Sequence, residues 1–208
     1  MCHFEGALLT ALGMTSVIEN GLACRELLAA RIRKRYNHDA MPILDSTTVE
    51  FLSGSPAQTA RIGERLGKLL TGGEVICLEG QLGAGKTCFA QGLGRGWGAT
   101  DDLTSPTFTL IHELRRAADR KHLYHVDLYR LESEREAWML GLSDLMDSTS
   151  TVLIEWPERA LSLLPPDRLW IKLELVDDTR RRLTFKPTDA QHQALLTALK
   201  REVFGIRS

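Results

Sequence analysis

Residues 80–87 run Gly-Gln-Leu-Gly-Ala-Gly-Lys-Thr and meet every fixed position of the pattern G-x-x-x-x-G-K-[ST]. No other stretch restricts the fold as strongly. A glycine-rich loop wraps a phosphate with its backbone N–H groups only when a strand delivers it and a helix follows with its N-terminus turned to the same place. Both flanks agree, since Val75-Ile76-Cys77-Leu78 is an apolar run suited to a buried strand and Cys88-Phe89-Ala90 begins a helix-like segment. The side chains fit the same chemistry: lysine reaches the β- and γ-oxygens, and the threonine hydroxyl suits Mg²⁺. Gly83, Ala84, Gly85, Lys86, Thr87 and Cys88 are therefore expected to line a bound nucleotide.

A chain of 208 residues, 43% of them hydrophobic and 25% charged, suits one compact α/β domain with a sizeable core. The net charge of −1 lacks the positive field with which a protein grips nucleic acid unaided, so any nucleic-acid role is expected to run through partners. Cys2, Cys24, Cys77 and Cys88 form no C-x-x-C pair and are expected to be reduced thiols. No apolar run reaches the length of a membrane span, and Ala7–Met14 is too short and has no basic flank before it for a secretory signal. A cytoplasmic protein is expected.

Residues 1–44 differ from the rest of the chain and are expected to form a weakly structured extension, with the basic run Arg31-Ile32-Arg33-Lys34-Arg35 either an RNA- or membrane-touching arm or plain extension. The domain itself is placed at 45–208. A short strand is expected over Thr48–Leu52, then a helix capped by Ser55 with Pro56 at its first position. Ile62, Leu66, Leu69 and Leu70 mark its buried face and Gly72-Gly73 its stop. The helix after the phosphate loop meets Gly92, Gly94, Gly96 and Gly98, each unfavourable against alanine, and is expected to end early. Thr104-Ser105-Pro106-Thr107-Phe108-Thr109 is a hydroxyl-rich turn ahead of a strand pattern over Thr107–Glu113. It is either a switch over the γ-phosphate or an ordinary Ser-Pro turn.

Two carboxylates stand out beyond it. Leu123–Asp127 and Thr151–Glu155 both have strand patterns that carry an acid near the C-terminal end. In an open parallel sheet those ends converge on the ligand crevice. Phosphoryl transfer needs carboxylates there, one to hold Mg²⁺ and one to orient the attacking water. Lys86, Asp127 and Glu155 are thus the candidate catalytic residues, and Thr87, Asp127 and Glu155 the candidate metal ligands. Between these strands, Glu132–Leu140 suits a helix, with Trp138 and Met139 expected as core or packing residues. His122 and His125 have H-x-x-H spacing but fall on opposite faces of a strand, which argues against a zinc site. Residues 169–185 alternate as an antiparallel hairpin across Asp177-Asp178-Thr179, and a last helix opens after Pro187 with Leu195, Leu196 and Leu199 on its apolar side. The expected class is an α/β P-loop NTPase-like fold: a mostly parallel sheet flanked by helices, with an antiparallel hairpin near the C-terminus.

From about Val49 to Pro187 the chain resembles the bacterial TsaE (YjeE) family of P-loop ATPases. The resemblance rests on an ordered set: the strand and helix before the loop, Leu82–Thr87, Ser105–Thr109, His125-Val126-Asp127-Leu128-Tyr129-Arg130-Leu131 and Glu155-Trp156-Pro157. Such a likeness implies a weak ATPase, with ATP and Mg²⁺ as cofactors, promoted by the TsaB and TsaD proteins in threonylcarbamoyladenosine modification of tRNA next to the anticodon. It implies that tRNA is handled indirectly, with Arg115, Arg116, Arg120 and Lys121 as a local contact. It makes Lys86 the phosphate lysine, Thr87 a Mg²⁺ ligand, Asp127 the Walker-B-like acid and Glu155 a second acid near the metal, and it assigns Ser105 and Thr107 to the switch-like loop. Thr59 and Arg180 resemble positions that line the nucleotide. Gln81 departs from the acidic residue usual in the family.

Other classes share a phosphate loop. A small-molecule kinase would need an acceptor pocket and an arginine-bearing lid, for which no clear segment is present. A GTP switch would need an N-K-x-D-like motif, which does not follow the loop. An ATP-gated binding module with incidental hydrolysis is the non-enzymatic alternative.

Overall fold

The computed structural model describes residues 48–101, 103 and 110–204. The expectations for residues 1–44 and for Ser105 and Thr107 lie outside the described residues. The order of elements is β1 (Val49–Ser53), α1 (Pro56–Gly67), β2 (Val75–Glu79), α2 (Lys86–Trp97), β3 (Ile111–Arg115), β4 (His122–Asp127) and α3 (Glu134–Met139). A 3₁₀ turn (Leu142–Leu145), β5 (Thr151–Glu155), a second 3₁₀ segment (Pro157–Leu163), β6 (Leu169–Leu175), β7 (Arg181–Pro187) and α4 (Ala190–Phe204) complete it.

The seven strands form one sheet in the order β1-β7-β6-β2-β5-β4-β3. β2 pairs in parallel with β6 and β5, and β5 with β4. β3 and the β7–β1 pair add antiparallel edges. The centre is where the sequence is most continuously apolar: Val75–Leu78 and all of β5 are buried, as strands covered on both faces must be. One face packs Ile76, Leu78, Leu153, Ile171 and Phe185 against Leu66 of α1, Phe89 and Leu93 of α2, and Leu196 of α4. The other face packs Cys77, Val126, Val152 and Ile154 under Leu128, Ala137 and Leu142. Burial pushes the Cys77 thiol up to about 12, so it behaves as a small apolar residue.

The N-terminus of α1 forms as its sequence indicates: Ser55 accepts from the Gln58 N–H at 3.2 Å, and Pro56 starts the helix. Its end does not. The helix stops at Gly67 with Lys68 as cap, and the next turn tightens through Leu69 N to Leu66 O and Leu70 N to Gly67 O. Gly72 and Gly73, both with left-handed φ, instead shape the turn into β2. That turn is built around the buried Glu74 carboxylate, which accepts from Thr71 N (2.7 Å), Thr71 Oγ1 (3.0 Å), Gly72 N (2.9 Å) and, across the sheet, Thr151 Oγ1 (2.7 Å). Glu74→Ala would strand these donors, and charged hydrogen bonds of this kind carry about 1.5–3 kcal/mol each before compensation by water. A loss of about 3 kcal/mol is expected in urea unfolding; a loss below about 1 kcal/mol would remove Glu74 from the account of this turn.

Two further expectations are corrected. The glycines of α2 do not end it early; it continues to Trp97 and closes at Gly98, whose φ of 88° gives a left-handed cap. Gly92 and Gly96 persist because there the helix lies with its backbone against that of α1, where a side chain would collide. The second correction concerns α3, which has six residues instead of spanning Glu132–Leu140. On so short a helix Ala137 takes the inward position, leaving Trp138 and Met139 66% and 69% exposed. The strand expected from Thr107 is described from Ile111 to Arg115.

Candidate functional site

β2 ends at Glu79, and the loop 80–85 turns through Gly80, Gly83 and Gly85, all with positive φ, before α2 begins at Lys86. A Cβ built on Gly83 would meet nothing within 4 Å, so the loop is open on that side. On Gly85 the same atom would lie 3.8 Å from Thr59 Cγ2, so α1 backs the loop with the Thr59 methyl. The Thr59 hydroxyl is turned away, 2.8 Å from Ser53 Oγ. Gly85 supplies no side-chain cap, and the first amides of the twelve-residue α2 are of the kind that receives an anion.

The two strand-terminal acids arrive together. β4 and β5 are parallel neighbours with Asp127 and Glu155 in register, and both carboxylates are buried on the face that carries α2. Thr87 Oγ1 lies 3.4 Å from Glu155 Oε2, at the long limit of a hydrogen bond. Asp127 Oδ1 accepts from the Tyr129 N–H at 3.0 Å. Burial raises the Asp127 carboxyl above its ordinary value, opposed by the Tyr129 amide and reinforced by the charge of Glu155. Lys86 Nζ donates to Gly80 O at 2.6 Å and Gln81 O at 3.1 Å and sits 3.9 Å from the centre of the Trp156 ring. Burial depresses the Lys86 ammonium, while Glu155, Asp127 and Glu158 support its charge.

Sequence reasoning quoted three residues of this site within longer motifs but gave them no role in it. His125, fully buried, places Nε2 3.0 Å from Glu155 Oε1. Trp156 follows Glu155 in a left-handed conformation, φ 60°, which turns its ring over Lys86. Tyr129 packs on that ring at 5.0 Å. The signal for His125 was its position two residues before Asp127, which on a strand means the same face. His122 points the other way, to Glu113 at 2.8 Å.

The remaining predicted residues are more scattered. Cys88, half-buried, lies beside Pro56 O at 3.1 Å. Arg180 stands in the β6–β7 turn, at the same end of the sheet as the loop because β6 runs parallel to β2, and there it is paired with Asp177. Arg115 is paired with Glu113, and Arg116 with Asp119, its guanidinium 4.6 Å from the Trp97 ring centre. The donor set at the acids consists of hard oxygens from Thr87, Asp127 and Glu155. No group of three or more His, Cys, Asp or Glu side chains among the described residues forms an all-protein metal cage. That pattern fits Mg²⁺, which takes one or two carboxylates and completes its shell with water and phosphate.

The family model described as TsaE, threonylcarbamoyl adenosine biosynthesis protein, matches residues 53–183. The chain is similar to the tRNA threonylcarbamoyladenosine biosynthesis protein TsaE of Treponema pallidum, at 41% identity over 64% of this chain and 96% of that one. It is also similar to the protein of the same name from Bacillus subtilis, at 36% identity over 71% of this chain and 90% of that one. Among solved structures, Bacillus subtilis YdiB superposes with a TM-score of 0.64 at 30% identity, covering 75% of this chain and 96% of its own.

Proposed function

The chain belongs to the TsaE family of threonylcarbamoyl adenosine biosynthesis proteins, and from that premise we propose that it is a Mg²⁺-dependent ATPase assisting threonylcarbamoyladenosine formation next to the anticodon of tRNA, together with the TsaB and TsaD proteins. The observation that carries the reading is the convergence of Lys86, Thr87, Asp127 and Glu155 at one end of the sheet. In this reading the loop 80–85 and the first amides of α2 receive the phosphates, and Lys86 swings from its own loop carbonyls to their oxygens. Thr87 and Asp127 hold the metal. Bound Mg²⁺ supplies charge neutralisation at the phosphates. Glu155 orients the attacking water through Oε2, the oxygen on the Thr87 side. Thr59 supports the loop, and Arg180 and Cys88 stand at its rim.

No helix among the described residues is long and apolar enough to cross a membrane. A cytoplasmic setting, with tRNA reached through the partner proteins, accords with the net charge of −1 and with the local pairing of Arg115 and Arg116.

The test is phosphate release from ATP with and without TsaB and TsaD. Stimulation that requires both partners is expected; its absence with ATP binding intact would overturn the partnership. Glu155→Ala is expected to bind ATP within about threefold of the unchanged chain while stimulated hydrolysis falls about 10²-fold, the usual range for a lost general base or water-positioning group. Normal stimulated hydrolysis in that variant would take Glu155 out of the mechanism. A phosphorylated small molecule in place of free phosphate would make the protein a kinase.

A further inference from the structure

His125 lies outside the phosphate loop and touches no group that the proposed reaction assigns to the nucleotide, yet it is fully buried beside Glu155. With Glu155 as a carboxylate, whose oxygens only accept, the histidine tautomer that fits the 3.0 Å contact carries its proton on Nε2. Its other ring nitrogen, Nδ1, has no hydrogen-bond partner among the described residues. The imidazole is thus fully buried with one polar contact among the described residues. A histidine that served only to fill the core would leave both nitrogens unpaired at greater cost than a leucine of similar volume.

The direction of that contact matters. Glu155 has two oxygens with different neighbours: Oε1 meets His125, and Oε2 faces the Thr87 hydroxyl at 3.4 Å. The last torsion of a glutamate is broad and leaves the carboxylate plane unset unless one oxygen is fixed. Fixing Oε1 from β4 fixes where Oε2 points, because β4 and β5 are locked in register through Leu123–Asp127 and Thr151–Glu155.

We propose that His125 is a positioning residue for Glu155, its Nε2–H holding Oε1 so that Oε2 is presented to Thr87 and to the water-activating side of the phosphate loop. The inference rests on the proposed ATPase reading for its kinetic part and on geometry alone for its structural part. Partners that orient a functional side chain in this way are worth about 10–100-fold in activity or affinity.

The experiment compares the unchanged chain with His125→Leu, His125→Gln, Glu155→Gln and the His125→Leu/Glu155→Gln double variant. His125→Leu keeps volume and loses the donor. The glutamine amide nitrogen reaches the place of Nε2 and keeps it. With TsaB and TsaD present, His125→Leu is expected to hydrolyse ATP about 30–100-fold more slowly at nearly unchanged ATP affinity, and His125→Gln to recover to within about fivefold. In the double variant the leucine should add nothing to the glutamine at 155, because both changes remove one function. Full activity of His125→Leu, a folded His125→Gln as slow as the leucine, or multiplicative losses in the double variant would overturn the proposal.

A crystal structure of His125→Leu gives a readout independent of turnover: the Glu155 carboxylate is expected to have left the Thr87 hydroxyl. Finding Oε2 still in place overturns the proposal even if no chain hydrolyses ATP, while failure of hydrolysis in the unchanged chain counts against the ATPase reading alone. If His125→Leu does not fold, His125→Asn, whose amide is too short to reach Oε1, takes its place with the same expected outcomes.

Discussion

Lys86→Ala is expected to bind ATP about 10²–10³-fold more weakly and to show no measurable hydrolysis, with or without partners. Two or three charge-assisted hydrogen bonds to phosphate, at about 1.5–3 kcal/mol each and not fully additive, set the loss in binding. The transition state loses more, because charge develops on the phosphoryl oxygens that the lysine faces, where one lost donor costs about 10²–10³ in rate. The fold should survive. Burial depresses the Lys86 ammonium below its ordinary value, which means that the folded state disfavours this charge relative to the unfolded chain. Removing it forfeits the bonds to Gly80 O and Gln81 O but also relieves that desolvation. A thermal midpoint within about 4 °C of the unchanged protein is therefore expected. Titration calorimetry and phosphate release read the two functional effects; unchanged turnover would sink the assignment of the loop.

The second large effect is on stability. Gly92→Ala should destabilise the domain by about 3 kcal/mol or more, although alanine is favoured over glycine by about 1 kcal/mol in an isolated helix. A Cβ on Gly92 would lie 2.0 Å from Ala60 O and 2.7 Å from Ala60 C, both backbone atoms of α1 that no rotamer change can move. The contact is repeated on both helices: Gly96 would meet Glu64 O at 1.9 Å, Gly63 would meet Phe89 O at 2.2 Å and Gly67 would meet Leu93 O at 2.1 Å. Four residues separate the two glycines on each helix, one turn apart on one face, so the backbones touch along a line. Forcing them apart also loosens the Thr59 methyl from behind Gly85, and ATP affinity should fall with stability. Gly94→Ala is the internal control. Its Cβ would meet only side-chain atoms of Leu103 and Leu114, at 3.3 Å and beyond, and its unfolding midpoint should stay close to that of the unchanged protein. Equal midpoints for Gly92→Ala and the unchanged protein in urea unfolding would contradict the close-packed interface.

The contrast between these two variants marks what a sequence carries. The phosphate loop was legible because its chemistry is local: eight consecutive residues hold the glycines, the ammonium and the hydroxyl. The strands ending at Asp127 and Glu155 were legible because alternation over Leu123–Asp127 and a continuous run over Thr151–Glu155 are strand patterns, and each carries an acid near its C-terminal end. The β6–β7 hairpin and the Ser55-Pro56 start of α1 were legible for the same reason, since turn and cap chemistry is written in adjacent residues. The glycines of α2 misled because propensity describes a helix alone in water. Trp138 misled because hydrophobicity says that a residue prefers burial, while its position on a six-residue helix decides whether there is anything to bury it against.

What the sequence determined by itself was the identity of the loop, the elements on either side of it and the two acids, since each depends on residues within one element. Only the tertiary structure decided that β2 lies between β6 and β5, that Asp127 and Glu155 are register partners, that His125 reaches Glu155, and that Trp156 covers Lys86. Side-chain periodicity tells which face of a strand is buried but is silent on which strand lies alongside. Neighbours are chosen by packing over the whole sheet, and residues far apart in the chain meet only when that choice is made.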